Sequence, residues 1–223
     1  MCELESHNSK RLLGKSKRTL SKTIIFTMDI QNSTIADIDE IFLLYKVATD
    51  LQKAKQVVPW PEFDRTLIEN EIHENRQWKM HIDNKVACIW ATTFSDPLIW
   101  GKRNLDPAVY IHRIATQPAF RGNILVAKIT VWALKYAKEN NKRYVRMDTV
   151  GQNEKLIEHY GNCGFEFLGL SRLTATEGLP AHYHNATVSL FQLNVTDTHI
   201  NPMHKFENHL QIFGLKHITH NGI

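Results

Sequence analysis

A short run of residues between a predicted strand and a predicted helix has the pattern of an anion-binding turn. The run spans residues 117–122 and ends in Arg121 and Gly122, and an apolar helix follows it directly. The first amides of a helix have no partner within the helix, and the helix dipole adds partial positive charge there. Both effects favour phosphate oxygens, above all a pyrophosphate that lies across several amides. The pattern therefore indicates a site for a phosphate-bearing ligand.

The elements around this run alternate between strands and helices. Thr34 and Asp37 can form a capping box at the start of the first helix, and Pro61 suits the first position of the second. Asp83-Asn84 suits a hairpin turn. Apolar β-branched stretches and helical apolar spacing give the remaining bounds. The predicted strands are 22–30, 77–82, 85–94, 108–116, 144–149, 164–173 and 183–195; the predicted helices are 34–54, 61–76, 121–140 and 153–160; residues 96–107 are predicted as a loop.

The order of these elements predicts a mixed α/β domain around one central sheet. The helix over 121–140 is apolar nearly all round, which places it against the sheet with one narrow edge in water. Its predicted polar stripe consists of Lys128, Lys135, Lys138 and Lys142.

Composition excludes several classes of protein. The chain has 223 residues, 43% hydrophobic and 22% charged, which fits a globular protein and not a disordered or fibrous one. Its three cysteines form no CxxC pair, which favours a reducing compartment over a disulfide framework. No apolar run reaches the roughly 20 residues of a membrane span or resembles a secretory signal. A cytoplasmic protein without membrane association is therefore predicted.

Charge and histidine content set the two ends of the chain apart. Residues 1–22 carry the whole net charge of +4, so the body is neutral and nucleic-acid binding is not expected. We predict a basic flexible tail over 1–22, one domain over 23–195 and a His-rich extension over 196–223. Five histidines fall in that extension without a carboxylate or cysteine at ligand spacing, so no metal site is predicted. They are His199, His204, His209, His217 and His220.

A second motif lies about 30 residues after the turn. Asn153 is followed seven positions later by Tyr160, and Gly164-Phe165 follows four positions after that. A loop arginine before a helix together with this Asn, Tyr and Gly-Phe pattern resembles the GNAT superfamily of acyl-CoA-dependent N-acyltransferases. The resemblance implies an α/β fold with a single central mixed, mostly antiparallel β-sheet and helices on both faces.

The resemblance covers residues 108–173, and the strand order over 22–195 agrees with it. The loop departs from the family, whose pattern is usually Arg/Gln-x-x-Gly-x-Gly/Ala. Here Ile124 and Val126 stand where small residues are usual. The backbone N–H donors are kept, but larger side chains hinder the close approach of the backbone to phosphate. A looser fit to phosphate is therefore expected.

The resemblance implies acetyl-CoA as co-substrate. Its pyrophosphate would lie on the amides that open the helix, its pantetheine arm along the strand before the turn, and Asn153 beside that arm. Tyr160 would face the sulfur and protonate the departing thiolate. The implied cofactor-binding residues are Ile114, Ala115, Thr116, Arg121, Gly122, Asn123, Ile124, Leu125, Val126 and Asn153.

An acceptor amine of pKa about 10.4 must lose a proton before it attacks, at a cost of about 4.6 kcal/mol at neutral pH. Many family members carry a glutamate thirteen residues before the loop arginine, where this chain has Ala108. Arylalkylamine acetyltransferases use a histidine nine residues before it, and His112 has that spacing. His112 shares a strand face with Tyr110 and Ile114. His112 is the predicted base.

Other roles for nearby residues stay open. His112 could instead be a buried histidine held by Asp148, and His182 and His184 on the last hairpin are rival bases. Glu62 and Asp64 could attract a cationic amine, although acidic residues in a first helical turn also favour the helix itself.

Two functions follow for the chain. One is an N-acetyltransferase that moves an acetyl group from acetyl-CoA to a primary amine by direct attack; the other is a catalytically weak acyl-CoA-binding module. Residues 57–64, 96–107 and 177–184 are expected to wall the acceptor pocket. Trp60, Trp100 and Tyr183 in those walls favour a small molecule with an apolar part. A peptide or protein acceptor and a homodimer are left open.

Overall fold

The computed structural model describes residues 27–122 and 124–196. The basic tail 1–22, the histidines after residue 196 and the predicted cofactor residue Asn123 lie outside the described residues. The strands are β1 Met28–Asn32, β2 Gln77–Ile82, β3 Lys85–Thr93, β4 Ala108–Thr116, β5 Tyr144–Val150, β6 Glu166–Arg172 and β7 Thr187–Asn194. The helices are α1 Ile38–Ala54, α2 Arg65–His73, α3 Pro97–Trp100, α4 Leu125–Glu139 and α5 Glu154–Asn162.

The seven strands of the described residues form one sheet in the order β1-β2-β3-β4-β5-β7-β6. Every neighbouring pair is antiparallel except β4 and β5, which are parallel. This confirms the predicted single mixed, mostly antiparallel sheet. The parallel pair is short, because only Ala108–Tyr110 and Tyr144–Arg146 are in register. Beyond them, β4 pairs with β3 and β5 pairs with β7, so the two strands splay apart.

Helices cover both faces of the sheet. On one face, α4 and α5 pack on strand residues that include Trp90, Val109 and Phe191, all fully buried. On the other face, α1 and α2 form a second cluster with Ile89 and Ala115. The short α3 packs on the same side as Tyr110 and Val188. Burial of apolar side chains on both faces holds the sheet rigid up to the splay.

Two local predictions are confirmed and show how the sequence fixes these elements. The Asp37 carboxylate accepts from the Thr34 backbone amide at 2.6 Å, the capping box that opens the first helical segment. Asp83 and Asn84 have φ values of 50° and 61°, the left-handed pair that a tight hairpin between β2 and β3 requires.

Several predicted boundaries are wrong, and the last strand, for example, begins at Thr187 and not at residue 183. The second helix begins at Arg65 and not at Pro61, because the Asp64 carboxylate caps it by accepting from the Thr66 amide at 2.7 Å. The segment 96–107 is not a plain loop, since α3 and a 3-10 turn over Gly101–Leu105 occupy most of it.

The long helix also differs from its prediction. It begins at Leu125, after a separate 3-10 turn over Pro118–Phe120. The prediction that Lys128 lies on an exposed polar stripe is wrong, since its side chain is only 5% exposed. No described helix has the length and apolar character needed to cross a membrane.

Candidate active site

A cavity of about 1180 Å³ opens where β4 and β5 splay apart. Residues 111–116 of β4 and 147–150 of β5 face each other across it without pairing. Clefts at the carboxyl ends of parallel strands are common ligand sites in α/β sheets, because backbone groups there are left free. The cavity reaches from Arg121, ahead of α4, to Trp60 and Phe63, ahead of α2.

A β-bulge in β4 shapes the wall of the cavity. Ile89 pairs with Ala115 and Ala91 pairs with His112, so Arg113 and Ile114 together oppose a single residue of β3. Arg113 has a φ of 53°, a left-handed value that is rare for a residue with a side chain. Such bulges re-aim side chains and are frequent beside active sites.

The bulge turns Arg113 towards a buried carboxylate. Its guanidinium donates to Glu71, which also accepts from Gln77 at 2.7 Å and from Arg76 at 3.4 Å. The same guanidinium lies 5.1 Å from the centre of the Phe63 ring. Burial lowers the pKa of Arg113, but Tyr45 and Glu71 outweigh it and raise that pKa overall. Arg113 and Glu71 thus neutralise one another at the base of the cavity.

Three titratable side chains meet beside Arg113. One ligand atom each of Asp96, His112 and Asp148 lies within 4.8 Å of the other two. Continuing the register of Tyr110 with Arg146 by two residues brings His112 level with Asp148. Asp96 reaches them from the start of α3, and its Oδ2 lies 3.7 Å from His112 Nε2. We call these three residues the Asp-His cluster.

Burial controls the charges of the Asp-His cluster. It raises the pKa of Asp96 to about 6, with the Ile99 amide acting against the rise. It raises the pKa of Asp148 to about 7, helped by the charge of Asp96 and opposed by a hydrogen bond from Tyr183. It lowers the pKa of His112 to about 3, with further lowering by Arg113 and Arg76. At neutral pH the imidazole is therefore uncharged.

The hairpin between β6 and β7 covers one side of the Asp-His cluster. Tyr183 donates its hydroxyl to Asp148 Oδ2 at 2.8 Å, which orients that carboxylate. His182 also lines the cavity, and burial lowers its pKa to about 4. His184 is exposed and its ring lies 3.2 Å from the Leu179 carbonyl oxygen. Of the two rival histidines, His182 alone lines the cavity.

The other end of the cavity carries the phosphate-binding pattern. Lys128 N bonds to Ile124 O at 3.1 Å, which leaves the amides of the preceding helical turn without helical partners. Gly122 has a φ of 82°, and the chain needs glycine there to turn into α4. Arg121 is exposed and lines the cavity with Ile114.

Comparisons with known proteins agree with this geometry. No family model matches the chain. A segment of 74 residues, 33% of this chain, is 31% identical to the uncharacterized N-acetyltransferase YesJ of Bacillus subtilis (strain 168). The segment spans 41% of that relative's length. A GNAT-family acetyltransferase of Listeria monocytogenes 4b F2365 superposes with a TM-score of 0.61 at 22% identity, covering 75% of this chain and 94% of that one. The chain has the GNAT acetyltransferase fold.

A second solved structure with the GNAT fold carries the cofactor. YncA of Salmonella typhimurium, described as an acetyltransferase and solved with acetyl-CoA, superposes with a TM-score of 0.55 at 14% identity. The match covers 78% of this chain and 96% of YncA. At these identities the similarity establishes the fold, and the roles of individual residues in this chain stay predictions.

Within the GNAT fold, the two sequence motifs lie on the predicted elements. Asn153 caps α5 by accepting from the Leu156 amide at 3.2 Å, and it lines the cavity. Tyr160 is buried in the same helix, packs against Phe191 and also lines the cavity. Thr116 lines it too, whereas Ala115 is buried in the core on the α1 side. The side chains of Leu125 and Val126 pack in the α4 core.

Three residues of the predicted acceptor wall lie elsewhere. Trp100 is buried in the core beside Tyr110, with their ring centres 5.6 Å apart, and does not line the cavity. Asp64 is the cap of α2, and Glu62 is exposed and outside the cavity lining.

The sequence did not single out Asp96 as a site residue. Its only local signal is Asp-Pro at the start of a segment read as a loop. The contact with His112 depends on how α3 folds back over the sheet, which spacing along the chain does not encode. The sequence suggests Asp148 only as a neighbour of His112, and the structure brings the two together.

Proposed function

We propose that this chain transfers an acetyl group from acetyl-CoA to a primary amine by direct attack. The observation that carries the proposal is the cavity at the β4–β5 splay, which joins a helix start suited to pyrophosphate with a cluster of proton-accepting side chains. The acetyl-CoA in YncA, which has the same fold, supports this choice of donor.

The residues at the α4 end fit CoA. The amides of residues 124–126 open α4 and are available to phosphate oxygens, and Arg121 adds an exposed positive charge beside them. The unpaired edge of Ile114 to Thr116 offers backbone groups to the pantetheine amides in the manner of an added strand. A backbone N–H at the bulge can also meet the thioester oxygen as negative charge develops on it.

Tyr160 is the proposed acid for the departing thiolate. Burial, with smaller contributions from Cys163 and Asp148, raises the pKa of its hydroxyl above the ordinary value, so the group stays protonated at neutral pH. A protonated hydroxyl in the cavity can donate to sulfur as the carbon–sulfur bond breaks.

Direct attack fits the state of the described cysteines. Cys88 and Cys163 are both fully buried, and burial raises the pKa of each thiol to about 12. A thiol must ionise to act as a nucleophile, so neither residue suits a covalent acetyl-enzyme step. The acetyl group would then pass from sulfur to the amine in one transfer, with the proton taken up in the Asp-His cluster, for which the sequence predicts His112.

The test measures thiol release from acetyl-CoA with a panel of primary amines, amino acids and short peptides. Saturable turnover with an amine, together with stoichiometric CoA binding by calorimetry, is the expected result. Binding without turnover on the whole panel would favour a weak acyl-CoA-binding module. No heat with CoA or acetyl-CoA at millimolar concentration would refute both. Small-molecule preference, dimerisation and cytoplasmic location stay predictions.

A further inference from the structure

We propose that Asp96 and Asp148 bind the acceptor as its ammonium ion, and that Asp148 takes the proton that frees the amine for attack. The acceptor is then a cationic amine without a carboxylate near its amino group. This inference rests on the proposed acetyl transfer and names the substrate class and a second catalytic carboxylate for it.

The distances in the Asp-His cluster suit one nitrogen. Because its three ligand atoms lie within 4.8 Å of one another, a single ammonium can donate to both carboxylates at hydrogen-bond distance. Charge-assisted bonds of this kind are stronger than neutral ones. Tyr183 occupies Oδ2 of Asp148, so the other oxygen of that carboxylate can face the cavity.

Asp96 is the residue that needs a cation. Its Oδ2 is buried and accepts no hydrogen bond from any described residue, and His112 Nε2 lies 3.7 Å from it. Burying an unpartnered carboxylate oxygen is costly unless a ligand completes the site. An ammonium ion supplies both the missing donor and the missing charge.

The charged groups around the cluster leave a negative surplus. Arg113 is matched by Glu71, and Arg76 contacts Glu71 and Glu74. Arg146 is bound to Asp106 at 2.8 Å. The titratable and charged groups around the cluster lie on β4, β5 and the last hairpin and on or beside α2 and α3. They are Tyr110, His112, Arg113, Arg146, Asp148, Glu71, Arg76, Asp96, Asp106, His182 and Tyr183. Asp96 and Asp148 remain unmatched.

Asp148 is better suited than His112 to accept the proton. The pKa of Asp148 is raised to about 7 and that of His112 is lowered to about 3. The gap to an amine of pKa about 10.4 is less than half as large for the carboxylate. A general base works best when its pKa lies near the working pH. His112 would then act as an uncharged neighbour that limits the space around the ammonium.

Each proton and electron pair that moves in the proposed step has a donor and an acceptor. The ammonium gives one proton to Asp148, and the freed nitrogen lone pair forms the new bond to the thioester carbon. The carbon–sulfur bond then breaks, and its electron pair leaves with sulfur, which takes a proton from Tyr160. The second proton of the attacking nitrogen replaces the one lost by Tyr160, and the proton on Asp148 passes to solvent. The products are the amide and the free thiol.

The cavity wall beyond the cluster defines the rest of the acceptor. Trp60 and Phe63 line it with ring centres 5.9 Å apart, and Leu179 lines it from the hairpin. These surfaces suit an apolar or aromatic substituent on the amine. A carboxylate on the carbon that carries the amino group would approach Asp96 and Asp148 and be repelled.

The first test uses the unaltered full-length chain and two acceptors with one skeleton. 2-Phenylethylamine carries only the ammonium, and phenylalanine adds a carboxylate beside it. We expect kcat/KM to be at least about 100-fold higher for the amine. Equal rates, or a preference for phenylalanine, would overturn the proposal while leaving acetyl transfer intact. Absence of turnover with every amine of the panel would instead refute the proposed function itself.

The second test locates the base by the pH dependence of kcat/KM with 2-phenylethylamine between pH 5.5 and 8.5. We expect a rise through two ionisations, one near 6 from Asp96 and one near 7 from Asp148. The ionisation near 7 disappears in Asp148→Asn and persists in His112→Gln. Asn at 148 can still accept from Tyr183, so the hairpin contact is kept. Asp50→Asn, an exposed change on α1, is the matched control. Loss of the ionisation near 7 in His112→Gln but not in Asp148→Asn would overturn the assignment.

The rates are also measured in EDTA. Unchanged turnover is expected, because the ammonium ion fills the cluster. Loss of turnover in EDTA and recovery with added zinc would mean that a divalent cation occupies the cluster, and this result would overturn the proposal.

Discussion

Burial shifts the pKa values of His112, Asp96 and Asp148 away from the ordinary values of their residue types. His112 lies where the strand spacing placed it, yet burial lowers its pKa to about 3, far from the ordinary value near 6.5. Two aspartates beside it have raised pKa values, so the groups that titrate near neutral pH are carboxylates. The sequence predicts His112 as the base, and the structure places two carboxylates with raised pKa values beside it.

Tyr160→Phe tests the proposed acid at the level of one atom. The ring keeps its contacts with Phe165 and Phe191, so CoA affinity and folding should be nearly unchanged. Loss of the hydroxyl should lower kcat by about 100-fold, the usual contribution of a general acid. Steady-state kinetics and CoA calorimetry measure the two effects separately.

The control for this change is Tyr136→Phe on α4, whose hydroxyl is outside the cavity lining. It should leave kcat unchanged. A Tyr160→Phe enzyme with full kcat would show that the thiolate takes its proton from water.

Local motifs and distant contacts differ in how far the sequence reveals them. The turn at Arg121 lies between β4 and α4, and the spacing from Asn153 to Tyr160 lies within α5 and its cap. Each motif is local to one segment, so the sequence alone predicts its position. Asp96 is sixteen residues from His112 and fifty-two from Asp148. Their meeting depends on sheet register and on the fold of α3. Tertiary packing of this kind has no periodic signal in the chain.

The strand β5 helps to position the part of the cavity that is proposed to bind the acceptor. Arg146, with a side chain only 1% exposed, donates to Gln192 on β7, to the Arg103 carbonyl oxygen and to Asp106. These bonds tie the segment after α3 to the centre of the sheet. Asp96 lies immediately before α3, so the bonds of Arg146 anchor the opposite end of the stretch that Asp96 begins.

The start of α4 is the element that is proposed to position the cofactor. Gly122→Ala should weaken CoA binding by about tenfold, because a side chain there disfavours the left-handed φ of 82° that directs the following amides. No described atom lies within 4 Å of the added Cβ, so the effect is on backbone conformation and not on packing. The fold should lose about 1 kcal/mol from the same strain. Calorimetry and thermal melting measure the two quantities.

Gly169→Ala provides a matched control for backbone strain. Gly169 on the edge strand β6 has a φ of 99° and equally open space around its Cβ position. It should show the same stability loss with unchanged CoA affinity. Equal affinity of the two variants for CoA would place the pyrophosphate away from the start of α4.

At the scale of the whole molecule, the two faces of the sheet carry the elements proposed to bind the donor and the acceptor. One face carries α4 and α5 with the elements proposed for CoA, and the other carries α2, α3 and the Asp-His cluster. Only the splay between β4 and β5 connects the faces, so donor and acceptor would meet there and nowhere else in the described sheet. The burial of the Asp96 and Asp148 carboxylates at the site is unfavourable, and the tightly packed core around them offsets this cost.

The burial of Asp148 has a cost that appears in the stability of the whole fold. Its pKa is about 7 in the folded protein and near 3.8 when unfolded. Between these values the folded state holds a proton that the unfolded state has released. The contribution of this group to the free energy of unfolding is therefore fully present below pH 3.8 and is lost as pH rises to about 7.

Asp148→Asn removes this titration, so the variant should gain stability relative to the unaltered protein as pH rises from 4 to 8. The difference should reach on the order of 2 kcal/mol, or several degrees in Tm. Thermal melting at each pH measures it, and taking the difference cancels the opposite contribution of His112, which both proteins share. Asp50→Asn should show no such trend, because that carboxylate is exposed and Lys46 holds its pKa below the ordinary value. A flat difference for Asp148→Asn would mean that this carboxylate is already ionised in the folded protein at low pH, and it would then be too weak a base for the role proposed.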